Sequence, residues 1–276
     1  MLILENVTKS FRGKRVLSGV RFSLGKGSVL LIGPNGSGKT TLIRISAGLL
    51  PPDEGSVACQ SPSLYVPEGN PRGSSFTALT LYRFLGGCDK ELLKNIAMRL
   101  NVDRLLERRF SSVSMGEAKK LFISAIMASM ADKSPHCMFI DEPFANLDAY
   151  SVDSLLDMII DYYKSNKSGV LVISSHIVNR RMVPVFDYIA TIYDGRLYVE
   201  PTRELLNSLE HVCLESISPG GTSSASRGSR RGEQLLLGNR YYRLTSCKGA
   251  EFTKEDILSD TLLLHIYVAL TGGELY

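Results

Sequence analysis

Tryptophan is absent from the 276 residues, and cysteine is sparse: Cys59, Cys88, Cys137, Cys213 and Cys247 are odd in number, scattered and free of any Cys-x-x-Cys spacing. The missing tryptophan excludes nothing. The cysteine pattern argues against a disulfide framework or a zinc site and predicts reduced thiols in a cytosolic protein. No apolar run reaches the roughly 18 residues that a membrane helix needs. The longest apolar-rich stretch, Leu121 to Ala131, is broken by Ser124 and Ser129. The N-terminus, Met1-Leu2-Ile3-Leu4-Glu5-Asn6, lacks the basic flank and long apolar core of a signal peptide. A large charge of one sign is missing too: 32 Lys and Arg against 28 Asp and Glu leave a formal +4, too little to argue for nucleic acid. What is present is ordinary. With 44% hydrophobic and 22% charged residues, the length fits one large domain, or one domain with a small appendage.

Short β-rich runs alternate with helical patterns through most of the chain, the rhythm of an α/β domain. Strands are expected at Leu2–Val7, Val20–Leu24, Ser28–Ile32, Leu64–Val66, Met138–Ile140, Val170–Ser174 and Ile189–Tyr193. Helical patterns run over Thr40–Leu49, Leu79–Phe84, Glu91–Leu100, Met115–Ala131 and Ser151–Lys164, with Ser151 the expected N-cap of the last. The composition breaks at Pro219–Gly232, rich in Gly and Ser, which predicts a mobile loop. Its Arg227, Arg230 and Arg231 read either as solvated charges or as contacts to phosphate or anionic lipid. Beyond it, Glu233–Cys247 reads as a hairpin and Asp260–Leu270 as a helix.

The strongest local signal is Gly33-Pro34-Asn35-Gly36-Ser37-Gly38-Lys39-Thr40-Thr41, which fits G-x-x-x-x-G-K-[ST] between an expected strand and an expected helix. Glycines at 33, 36 and 38 let the backbone wrap closely around phosphate with its N–H groups turned inward, and the following helix adds its positive end. Lys39 is expected to reach the β- and γ-phosphates, and the Thr40 hydroxyl to bind Mg²⁺. This is a nucleotide site. The acidic partner such a loop requires is at Cys137-Met138-Phe139-Ile140-Asp141-Glu142, an apolar strand ending in two carboxylates. Asp141 is expected to hold the metal, and Glu142 to orient or deprotonate the attacking water.

Between these two motifs stands Val113-Ser114-Met115-Gly116-Glu117, directly before a helix. Read locally it is a capping box, with Ser114 as N-cap and Glu117 three residues on. It also resembles the signature motif of ABC-transporter ATPases, usually Leu-Ser-Gly-Gly-Gln, and the two readings are compatible. Other elements of that family follow in order. Asn146-Leu147-Asp148 resembles the D-loop that contacts a partner subunit, and His176 the switch histidine that contacts γ-phosphate. Phe11 falls where the family stacks an aromatic ring on adenine, although core packing is an equal reading of it. Asp194-Gly195-Arg196 resembles the strand-turn that ends the family's core domain.

The resemblance covers about residues 1–205. It implies an α/β fold: a P-loop NTPase with a RecA-like core, an antiparallel β subdomain and an inserted helical signature subdomain at about 69–133. A small C-terminal α+β appendage at 206–276 would follow, with its mobile loop at about 219–232. ATP and Mg²⁺ are the implied cofactors. The nucleotide would be held by Phe11, Asn35, Gly36, Ser37, Gly38, Lys39, Thr40, Thr41, Ser114, Gly116 and Asp148, and the metal by Thr40, Asp141 and Glu68; Glu142, His176 and Lys39 would be catalytic. The chain departs from the family's pattern at two places. The usual Q-loop glutamine is Glu68, in Tyr65-Val66-Pro67-Glu68, which can still ligate Mg²⁺ but cannot donate a hydrogen bond; a surface residue is the other reading. The signature carries Met115 and Glu117 while keeping Ser114 and Gly116.

The implied function is the ATP-binding, ATP-hydrolysing subunit of an ABC transporter. It would be cytoplasmic and peripheral on the inner face of the cell membrane, paired with an identical or related ATPase and driving a separate membrane permease. No nucleic-acid partner is expected. The Ser-Met-Gly-Glu signature and the Leu262–Gly272 tail resemble the drug and polysaccharide exporter branch. A soluble ABC ATPase of iron–sulfur cluster assembly, or a nucleotide sensor with little turnover, are the alternatives. A chromosome or DNA-repair ATPase is not, because Ser114 follows Lys39 too closely for a long coiled-coil insertion.

Overall fold

The computed structural model describes residues 1–33, 35–69, 71, 74–130, 135–165, 169–176, 181–209, 212–217, 234–237 and 240–246. The expected mobile loop at 219–232, the helix at Asp260–Leu270 and the Leu262–Gly272 tail lie outside these residues.

In chain order come β1 (Leu2–Phe11), β2 (Lys14–Leu24), β3 (Gly27–Ile32) and α1 (Lys39–Ser46), then β4 (Glu54–Cys59) and β5 (Ser63–Val66). Three helices follow: α2 (Ala78–Phe84), α3 (Lys90–Arg99) and α4 (Met115–Met130). The chain then returns to alternation with β6 (Cys137–Ile140), α5 (Ala149–Ser165), β7 (Val170–Ser175), β8 (Tyr188–Tyr193), β9 (Arg196–Pro201) and α6 (Thr202–Leu209). The last described elements, β10 (Val212–Ile217), β11 (Gln234–Leu237) and β12 (Arg240–Ser246), form a three-stranded antiparallel sheet of their own, with β12 in the centre. Its β11–β12 pair occupies the expected hairpin.

The central sheet has the order β5-β6-β7-β3-β8-β9. Its first five strands are parallel and β9 is antiparallel to β8. The β8–β9 turn is Asp194-Gly195, both with positive φ (47° and 73°), the two-residue turn whose twist matches a hairpin. Strands β3, β6 and β7 are buried at every position, which is why they read as unbroken apolar runs rather than as alternating ones. Their side chains nevertheless sort by the two-residue period. Leu30, Ile32, Met138, Ile140, Leu171 and Ile173 join one apolar core with Leu121 of α4 and Leu155 of α5. Val29, Leu31, Phe139 and Val172 join a second with Leu42 and Ile45 of α1 and Leu4 of β1. Each such aliphatic side chain contributes roughly 1.5–3 kcal/mol by leaving water. The antiparallel sheet β2-β1-β4 thus covers one face together with α1, and the longer helices cover the other.

α2 and α3 start at polar caps: Thr77 Oγ1 accepts the Thr80 N–H, and Asp89 Oδ1 accepts the N–H groups of Glu91 and Leu92. α5 begins earlier than its sequence pattern suggests. Ser151 is not its cap but a residue of its first turn, and Asp148 accepts both the Ser151 N–H (2.9 Å) and its hydroxyl (2.6 Å). A carboxylate that takes two donors outcompetes a serine three positions on.

Candidate active site

Parallel strands end on one edge of the sheet, and three of these ends meet there. β3 runs into the glycine-rich loop and α1, β6 into Asp141 and Glu142, and β7 into Ser174, Ser175 and His176. The loop needs glycine at 38 for two reasons. Its φ is 108°, and a Cβ there would come within 3.0 Å of Val16 Cγ1.

Lys39 opens α1 yet is only 5% exposed. Its Nζ donates to the Gly33 carbonyl at 2.8 Å and lies 3.2 Å from Glu142 Oε1. Asp141 is fully buried. The Thr40 hydroxyl (3.1 Å) and the Ser174 hydroxyl (2.6 Å) both donate to its Oδ1, while its Oδ2 is buried without a hydrogen-bond partner among the described residues. A carboxylate oxygen left open beside a threonine hydroxyl is a hard-oxygen donor set, and it suits Mg²⁺. Glu142 stands in the left-handed region with φ 47°, a conformation that costs on the order of 1–3 kcal/mol unless its surroundings hold it. They do. Ser174 Oγ accepts its N–H, and its Oε2 accepts from His176 twice, from Nδ1 at 2.8 Å and from the backbone N–H at 3.1 Å.

Above these groups is a cavity of about 400 Å³. Asn35, Gly36, Gly38, Lys39, Thr40 and Thr41 of the loop and α1 line it, together with Glu68 and Glu142. Val16, not Phe11, supplies its apolar wall. Phe11 is 44% exposed, with the Lys9 ammonium 5.6 Å from its ring centre. Ser37 does not line the cavity, and its buried hydroxyl has no hydrogen-bond partner among the described residues.

Ser114, Gly116 and Asp148 are not brought to this cavity either. Ser114 and Glu117 form the reciprocal box: the Ser114 N–H donates to Glu117 Oε2 (2.8 Å) and the Glu117 N–H to Ser114 Oγ (3.3 Å). Ser114 itself is exposed. A Cβ on Gly116 would touch Leu147 Cδ2 at 3.3 Å, so the start of α4 lies close against the Asn146–Leu147 segment. Bonds from Ser114 hold the Glu117 carboxyl below the usual carboxylate range. A depressed pKa means that the stabilisation is present at neutral pH and is lost as pH falls through the depressed value. Glu117→Ala is therefore expected to lower the unfolding free energy by about 1 kcal/mol at neutral pH, and the difference from wild type should vanish in acid, as read by urea denaturation at both pH values.

Three contributors to the site carry no motif: Val16, Ser174 and Lys119. Ser174 had a usable signal, a hydroxyl placed at the end of an apolar strand just as Asp141 is. Lys119 is 3% exposed, and its Nζ donates to the Glu68 carbonyl at 2.6 Å.

The pattern of the ABC transporter family matches residues 17–145. The cytochrome c biogenesis ATP-binding export protein CcmA of Reclinomonas americana is 28% identical over 193 residues, 63% of this chain and 84% of its own length. The zinc import ATP-binding protein ZnuC of Yersinia pseudotuberculosis serotype I (strain IP32953) is 28% identical over 248 residues, 86% of this chain and 88% of its own. A bacterial ABC transporter cassette solved as a dimer shares the fold with a TM-score of 0.62 at 19% identity, over 74% of this chain and 99% of that one. With the glycine-rich loop, the paired carboxylates and the Ser114 segment in the family's order on the family's fold, residues 17–145 identify an ATP-binding, ATP-hydrolysing domain of the ABC transporter type.

Proposed function

We propose that residues 1–205 act as the ATPase of a two-subunit transporter motor, with the helical part at about 69–133 and the segment 206–276 as an appendage. The observation that carries this reading is the meeting of Lys39, Asp141, Glu142 and His176 at one sheet edge, under a cavity large enough for a triphosphate. The loop N–H groups and Lys39 bind the β- and γ-phosphates. Entering phosphate competes with Glu142 for the Lys39 ammonium, which frees the carboxylate to orient and deprotonate water. His176 holds that carboxylate in place through Oε2. Thr40, Asp141 and Glu68 are the residues that would hold Mg²⁺, which when bound neutralises charge on the phosphates.

Ser114, Gly116 and Asp148 do not line their own chain's cavity, which fits a role in closing over nucleotide held by a second subunit. No helix among the described residues is long and apolar enough to cross a membrane, and the transport path in this reading is a separate chain. Around α2 and α3, Phe76 (63% exposed), Phe84 (85%) and Met98 (51%) offer an apolar surface on which that chain can dock at the cytoplasmic face. We favour export, on the Ser114-to-Glu117 signature; transport into and out of sealed vesicles with the permease present decides it.

Assembly is tested with the full chain carrying Glu142→Gln, which is expected to hold ATP without turnover. ATP should convert it to a two-chain species in sedimentation, and ADP should not. Adding Ser114→Arg should abolish that species without weakening ATP binding. A two-chain species unaffected by Ser114→Arg would contradict the arrangement.

A further inference from the structure

Lys119 is a buried cation to which the phosphate, metal and water chemistry described above gives no part. It lies in the second turn of α4, the helix that begins at Ser114, and is 3% exposed. Burial pushes its ammonium below the usual lysine range, while Glu68, Asp141 and Glu142 are all near enough to pull the other way. An ammonium removed from water is costly unless it is bonded. Its bond here is not to a carboxylate but to the backbone carbonyl of Glu68, at 2.6 Å. That carbonyl belongs to the stretch leaving β5, whose Glu68 side chain lines the nucleotide cavity. One side chain thus joins the helix of the signature segment to the wall of the cavity.

We propose that Lys119 is a positioning residue: its ammonium ties the Glu68 stretch to α4 and so fixes where the Glu68 carboxylate stands at the nucleotide cavity. The proposal rests on the ATPase reading above and deepens it. A purely structural lysine would be replaceable only at the expense of folding, whereas a positioning lysine is a local burden on folding, because its burial is unfavourable. Methionine fills much of the same space without the cost of burying a charge, and what it gives up is the bond to the Glu68 carbonyl.

The full-length chain is compared with Lys119→Met and Lys119→Arg. Lys119→Met is expected to unfold no earlier than wild type on heating, to lower kcat about tenfold, and to leave KM and the affinity for a fluorescent ATP analogue within about threefold. Amide hydrogen exchange over residues 63–69 of the nucleotide-free chain should quicken, while β6 stays protected. Lys119→Arg keeps a donor and a charge, and should stay within about threefold of wild type on each measure. Unchanged kcat and exchange in Lys119→Met, a clear fall in its melting temperature, or an arginine variant as impaired as the methionine one would each overturn the proposal. Exchange needs no turnover, so a chain that failed to hydrolyse ATP would sink the ATPase reading while leaving this test intact.

Discussion

Lys39→Met is expected to weaken ATP binding by about 10- to 100-fold and to destabilise the chain as well. The affinity loss follows from a charge-assisted bond to phosphate, worth roughly 1.5–3 kcal/mol. The stability loss follows from the ion pair. The Lys39 and Glu142 side chains are 6% and 4% exposed, and they lie 3.2 Å apart. Removing one partner leaves the other buried without full compensation, which costs roughly 3–5 kcal/mol in comparable pairs. His176 still touches Glu142 Oε2, so the lower end is expected, about 3 kcal/mol. Adding Glu142→Gln removes the stranded charge. The double variant should recover most of the stability and none of the affinity, as read by urea denaturation and by calorimetric titration with ATP. If the double variant were as unstable as Lys39→Met alone, the pair would not be the source of the loss.

Glu142→Gln alone is expected to slow ATP turnover by about 10²–10⁴-fold, the range over which a positioned general base contributes. The amide keeps the size of the carboxylate, and its oxygen can still accept from His176, so the geometry around φ 47° should persist. What it cannot do is take a proton from water. ATP affinity should hold or rise, since Lys39 is no longer drawn to a negative charge 3.2 Å away and the phosphates meet one carboxylate fewer. Binding without hydrolysis separates this variant from Lys39→Met, which should lose both.

How much of this was legible in the sequence depends on whether the signal was local. The glycine-rich loop is local, since the strand before it, the helix after it and the glycine at 38 are all dictated within a few residues, and the fold carries the loop on β3 and α1. The rhythm of apolar runs likewise marked five of the six strands of the central sheet, missing the half-buried β9, and it did not give their order, in which β3 sits between β7 and β8. That order, set by packing, is what brings Ser174 to Asp141. The start of α5 was misplaced because Ser151 and Asp148 are both cap-forming residues, and it is Asp148 whose carboxylate accepts the N–H three residues on, that of Ser151. Phe11 matched the family's aromatic position by spacing alone, whereas Val16 lines the cavity. Lys119 carries no motif and was not singled out, although helical spacing puts it on the face of Ile123 and Ile126, both buried.

The most direct test of the account is phosphate release from the full-length chain mixed with ATP and Mg²⁺, wild type beside Glu142→Gln, with bound nucleotide measured in the same samples. Wild type should release phosphate steadily, and the variant should bind ATP at least as tightly while releasing phosphate at least about a hundredfold more slowly. Equal rates from the two proteins, at equal ATP occupancy, would contradict the assignment of hydrolysis to Glu142 at this sheet edge.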